Sequence, residues 1–167
     1  MQYLLTQGRI EQTNYDAPTL EAFAALPEDA RPVFLAETDP RVVAFLAAKP
    51  TAKTLAWSRI KTERDRRIQQ GGYKVGAKWY HSDTFSRTQQ MGLVMLGANI
   101  PANTPWKTMD GSFVIMTQTL AGQIFGTAAA SDIAIFTAAE THNAAMNASP
   151  TPENYRFTGG WPVAYGE

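Results

Sequence analysis

Residues 120–148 constrain this chain more than any other stretch. The run LAGQIFGTAAASDIAIFTAAETHNAAMNA carries apolar and small side chains at helical spacing throughout. Thr117 is placed to cap it, and about 30 residues at 1.5 Å rise would reach roughly 45 Å. Leu120, Ile124, Ala128, Ser131, Ile135, Ala138 and His142 fall on one stripe. Ala129, Ala130, Ala134, Ala139, Ala144 and Ala145 keep other sides small, while Gly122 and Gly126 weaken the first turns slightly. A helix this long outruns a small core. It packs on other elements of its own chain or is shared between subunits. Gln123, Asp132, Glu140, His142 and Asn143 interrupt it, which argues against a membrane span.

Two hairpins are expected ahead of this helix. In TPWKTMDGSFVIMT, Asp110-Gly111 is a preferred type I′ turn pair. Counting outward from a two-residue turn puts Trp106, Thr108, Phe113 and Ile115 on one face. In GGYKVGAKWYHSD, Gly76-Ala77 suits a type II′ turn. Tyr73, Val75, Lys78 and Tyr80 then share one face, and Lys74 and Trp79 the other. Gly71-Gly72 ends a helix over 54–70, in which Leu55, Ile60 and Ile68 are the apolar anchors and Trp57 and Arg64 lie on another stripe. Ser82-Asp83 opens a helix running to about residue 97, with Phe85, Met91, Val94 and Met95 on its apolar side.

The first third reads as a smaller mixed unit. Strands are expected at 2–5 and 9–13 around Gln7-Gly8, and a helix over 18–26 with Asp16 as its cap. PVFLA, within 31–36, reads as a buried strand. Asp39 and Pro40 then open a helix that turns Val42, Phe45 and Leu46 to one side. Residues 50–53 form a linker. The fold class is therefore α+β: a unit over 1–50, a helix, hairpin, helix, hairpin and long-helix domain over 51–148, and an irregular tail over 149–167. That tail is rich in proline, glycine and aromatics and docks through Tyr155, Phe157 and Trp161.

Composition narrows the function classes. Fifteen basic and fifteen acidic residues cancel, so no global field draws in nucleic acid or an anionic membrane. There are no cysteines, hence no disulfide, thiolate metal site or cysteine nucleophile. MQYLLTQGRIEQ has no basic segment followed by a long apolar core, so no signal peptide is expected. His81, Ser82 and Asp83 are the residue types of a hydrolase triad. Neighbours on a strand point to alternate faces, however, so they are read as scaffold: a strand end and a helix cap. His81 and His142 show no metal-ligand spacing. No catalytic residue, cofactor or metal is expected. The basic run RIKTERDRR, with Glu63 placed to pair with Arg67, is a salt-bridged face or a surface for an acidic protein. Nucleic acid fits it less well. Arg59, Arg64 and Arg67 join Tyr155, Phe157 and Trp161 as candidate partner contacts; Trp79, Asp83, Trp106, Asp110, Gly111 and His142 are candidate structural positions.

The run RIKTERDRRIQQGGYKVGAKWYHSDTFSRTQQM, then PWKTMDGSFVIMT, then a long helix with a late histidine, resembles a small domain of tailed bacteriophages. That domain recurs in tail-fibre-associated and tail-fibre assembly proteins. The features that carry the likeness are Arg59, Arg66-Arg67, Asp83, Arg87, Trp106, Asp110-Gly111 and His142, over about residues 55–148. Gly160-Trp161-Pro162 is similar to endings among tail-fibre assembly proteins. The resemblance implies a non-enzymatic structural component of the virion tail, at the baseplate, the tail tip or a fibre connection. It would be present in multiple symmetric copies and touch other phage tail proteins. The alternative it implies is an assembly chaperone, confined to the host cytoplasm and absent from the finished particle. A deletion of residues 154–167 is expected to remove partner binding while leaving the fold.

Overall fold

The computed structural model describes all 167 residues, which separate into two compact units, Met1–Pro50 and Thr51–Glu167. The architecture is α+β. In the first unit, strand β1 (Gln2–Thr6) lies between β2 (Arg9–Thr13) and β3 (Val33–Leu35), antiparallel to both. Gln7 and Gly8 both take positive φ, the geometry of a type I′ turn. Helix α1 (Ala17–Ala24) starts at Asp16, whose carboxylate accepts the Thr19 N–H, and α2 (Pro40–Ala48) starts at Asp39 in the same way, accepting from Arg41. Tyr15, Phe23 and Phe34 form an aromatic trio on one side of the sheet.

Deep burial in this unit is confined to Tyr3, Leu4 and Val42. PVFLA therefore departs from its expected buried state. β3 is an edge strand, with Val33 53% and Phe34 37% exposed. Leu46, expected inward beside Val42, is also exposed.

The second unit is organised along one helix. α3 (Ala52–Gln70) leads into the hairpin β4 (Tyr73–Val75) and β5 (Lys78–Tyr80), and α4 (Thr84–Leu96) into the hairpin β6 (Pro105–Lys107) and β7 (Phe113–Ile115). α5 (Gln118–Ala148) then runs for 31 residues, roughly 46 Å. α3 lies antiparallel to its C-terminal half: Lys53 reaches the Asn147 carbonyl, and Arg64 covers the Phe136 ring. α4 lies along its N-terminal half, where Arg87 pairs with Asp132. The 19 residues of α3 and 13 of α4 thus follow one another along a single spine. Each half has its own core. Tyr73, Tyr80, Met116 and Ile124 fill one; Ala56, Ile60, Ala139 and Met146 fill the other.

Several expectations are corrected. No linker occupies 50–53, because Thr51 caps α3 through its hydroxyl and helix begins at Ala52. Leu55 is 55% exposed, and Ala56 takes its inward place. Met109-Asp110-Gly111 forms a three-residue loop, not a two-residue type I′ turn. The Gly111 N–H donates to the Thr108 carbonyl and only Gly111 has positive φ, so a type I turn is closed by a left-handed glycine. The pairing becomes Trp106 with Val114, one residue away from the expected register. A one-residue slip exchanges the faces. Phe113 and Ile115 are left outside, and Trp106 and Val114 pack on the core. Finally, the apolar side expected for α4 faces outward: Phe85, Met91, Val94 and Met95 are all exposed, while Gln90 is buried.

Candidate functional site

The Gly-Gly hairpin is built around small polar tethers. Gly72 takes φ +66, and its N–H donates to the Ser82 hydroxyl oxygen at 3.0 Å. Ser82 is itself buried. Asp83 caps α4, accepting from the Ser86 N–H and hydroxyl, and these bonds hold its carboxyl below the usual range. The His81 carbonyl accepts from Gln90. The Ser82 and Asp83 side chains serve separate structural bonds, not a relay.

Arg87 joins the elements that meet here. Its Nε donates to the Ser82 carbonyl at 2.6 Å, and one Nη donates to the Ile68 carbonyl at 3.2 Å, at the open end of α3. Two further bonds, 2.6 and 2.9 Å, go to the Asp132 carboxylate on α5. That carboxylate raises the Arg87 pKa further. The guanidinium also sits 5.7 Å from the Tyr73 ring. Burial pushes the Tyr73 phenol up to about 12, and its hydroxyl donates to Gln90. Nothing in the local sequence pattern marks Asp132 as the partner of Arg87. The available signal was its isolation, since it is the one charged residue among positions 118–139.

The C-terminal segment is folded into the second unit and is irregular apart from a 3-10 turn at Pro152–Asn154. Arg67, 6% exposed, donates to Glu63 at 2.7 Å, to the Pro162 carbonyl at 2.9 Å and to Glu167 at 2.8 Å. It also lies 5.4 Å over the Trp161 ring. His142 packs 5.0 Å from the same ring, and its Nδ1 is bonded to the Tyr155 hydroxyl at 3.0 Å. The other nitrogen, Nε2, is buried without a partner, close to where Gly160 passes at φ +83. Trp161 donates to the Phe157 carbonyl, and Arg59 donates to the Glu153 carbonyl at 2.7 Å. Tyr165 returns to the hairpin, bonding the Gly71 carbonyl and packing edge-on to Trp79. Arg64 pairs with Asp65 beside Phe136.

The six residues expected to meet a partner are therefore engaged within the chain. Asp110 organises the second hairpin, accepting from Lys78, Thr108 and Ser112, which together hold its carboxyl well below the usual range. No three His, Cys, Asp or Glu side chains gather as a metal-ligand set.

Between α4 and α5 lies an open groove of about 380 Å³. Arg87 and Asp132 border it together with Thr84 and Thr88, and Met91, Phe125 and Ala129 make an apolar wall. Because Arg87 and Asp132 already hold each other, the groove offers contact area more than free charge.

The family model of a domain of unknown function, DUF4376, matches residues 51–158. The chain belongs to the DUF4376 family. The DUF4376 match begins at Thr51, the cap of α3 and the first residue of the second unit. It takes in Arg87, Asp132, His142 and Phe157, and it stops short of Trp161 and Glu167, which complete the lock on Arg67. Comparison with curated proteins and with solved structures finds no match.

Proposed function

We propose that the chain is a non-enzymatic structural component of a bacteriophage tail. In this reading it is an adaptor at the baseplate, tail tip or fibre connection, acting through protein–protein contacts. The resemblance of residues 55–148 to a domain of tail-fibre proteins supplies the context. One structural observation supports the adaptor role: the Met1–Pro50 unit buries only Tyr3, Leu4 and Val42, and leaves Leu26, Val33, Phe34, Val43 and Leu46 exposed. Units of about 50 residues are marginal even with a complete core, and need additional support when it is small. A partner that covers the exposed apolar side chains would supply it. The DUF4376 unit, with two filled cores and a pinned C-terminus, would then be the rigid body that this docking unit carries.

The test is quantitative mass spectrometry of purified virions from a phage that encodes the chain, referenced to a tail protein of known copy number. A fixed ratio, for example a multiple of about three or six from ring symmetry, is expected. Absence from particles with abundance in the lysate would replace this reading with the assembly chaperone. Val33→Asp with Phe34→Ser should lower incorporation while leaving the second unit folded. Unchanged incorporation would reject docking through the first unit.

A further inference from the structure

The apolar side of α4 faces outward, and α5 continues the same face. Met91 and Met95 on α4 are 48% and 81% exposed; Phe125, Ile133 and Phe136 on α5 are 48%, 67% and 47% exposed. Over its most apolar 18 residues α5 has the length and composition of a bilayer-crossing helix, yet only 22% of that window is buried. At roughly 200 Å² per large side chain, these five leave about 600 Å² of apolar surface uncovered. That is the upper end for the largest patch on a monomer. Thr84, Thr88 and Ala129 lie between them along the groove. They extend the face towards the roughly 800 Å² per partner of a standard stable interface.

We propose that a second copy of this chain docks on this face, α5 against α5 in antiparallel, about a two-fold axis beside Ala129. The face suits itself in shape. Around that axis Phe125 of each copy meets Ile133 of the other, and Phe136 lies over Gly122. A Cβ at Gly122 or Gly126 would meet nothing within 4 Å, so packing inside the protomer does not require either glycine. An approaching large side chain uses that room. The face also suits itself in charge. Asp132 is the one charged residue in the first 22 of α5, and both its oxygens are held by Arg87. Glu140, one turn beyond Phe136, is exposed and bonded only to Asn143, and about the same axis it comes opposite Gln118 of the other copy, so no bare like charges are brought together. A bilayer fits less well, because Gln123 and the Arg87–Asp132 pair would have to enter hydrocarbon. The inference is independent of the phage-tail reading and holds for any setting of the chain.

The full-length protein tests it directly by sedimentation over about 1 to 100 µM, where dimer should replace monomer by mass action. Ile133→Glu would bury an unpaired carboxylate in the dimer but not in the monomer. It should weaken association about 100-fold or more with the helical circular dichroism unchanged. The chain has no cysteine of its own, so single cysteines report geometry cleanly. Ala129→Cys, close to the axis, should form a disulfide-linked dimer under mild oxidation, and Ser58→Cys on the exposed side of α3 should not. Three results would overturn the proposal: a monomer across the whole range, a dimer indifferent to Ile133→Glu, or a monomer that floats with phosphatidylcholine vesicles. The last would assign the face to lipid.

Discussion

Arg87 and Asp132 form a two-pronged ion pair, 2.6 and 2.9 Å, at the point where α3 ends, α4 begins and α5 passes beneath both. The same guanidinium satisfies the Ser82 and Ile68 carbonyls. One side chain therefore closes the end of one helix, steadies the start of the next and ties both to the spine. The last carbonyls of a helix have no partner within it, so an arginine there is favourable for the backbone and the helix dipole alike.

Replacing Arg87 with Met should lower stability by about 2–3 kcal/mol. That is below the ~3–5 kcal/mol cost of breaking a fully buried pair, because both side chains are about a quarter exposed. The double variant Arg87→Met with Asp132→Leu should recover part of the loss, since no unpaired carboxylate then remains. Urea denaturation of the three proteins measures both differences.

Trp161 holds the C-terminal segment between His142 and Arg67. Trp161→Ala should cost about 2–3 kcal/mol, less than the ~3–5 kcal/mol of a fully buried tryptophan because the ring is only partly buried. Deleting residues 154–167 should cost more and expose Ile60 and Met146. This reverses the expectation that the tail can be removed with the fold intact. Thermal melts and binding of a hydrophobic dye would show the difference; an unchanged melt would mean the tail is not part of the core.

Two turn glycines should respond differently to alanine. Gly72 and Gly76 both have positive φ, which costs an alanine about 1–2 kcal/mol. Gly76 has open space around it, so its substitution should cost about that and no more. At Gly72 a Cβ would collide with the Met109 sulfur and lie 3.0 Å from the Tyr80 carbonyl oxygen. Gly72→Ala should therefore be the more damaging of the two in chemical denaturation.

Glu63 and Glu167 are both held below the ordinary carboxyl value of 4.5, Glu63 chiefly by its hydrogen bond from Arg66 and Glu167 chiefly by that from Arg67. A depressed carboxyl contributes its full stability above its unfolded pKa and loses it as pH falls through the folded one. Stability should therefore be insensitive to these groups near neutrality and decline below about pH 4.5. Glu167→Gln should flatten part of that decline. Melting temperatures at stepped pH would measure it, and an identical pH slope in the variant would count against the Arg67 lock.

Local chemistry announced the helices and hairpins before any packing was known. Asp16, Asp39, Asp83 and Thr117 each cap a helix, as local sequence suggests, whereas the Thr51 cap stands where a linker is expected. The turns at Gln7-Gly8 and Gly76-Ala77 form where glycine supplies positive φ. These features depend on a few adjacent residues, so they can be read along the chain. What the sequence left open was which side of an element is covered. Asp110-Gly111 suited two loop lengths, and the one-residue choice between them moved Phe113 outside and Val114 inside. The spacing of Phe85, Met91 and Met95 marked an apolar side of α4, but α4 packs through Arg87 and Gln90 instead. Arg67 looked like surface charge until Pro162 and Glu167, about a hundred residues later, closed over it. Caps and turns are set by neighbours in sequence; facing and burial are set by contacts between distant residues, and those exist only once the chain has folded.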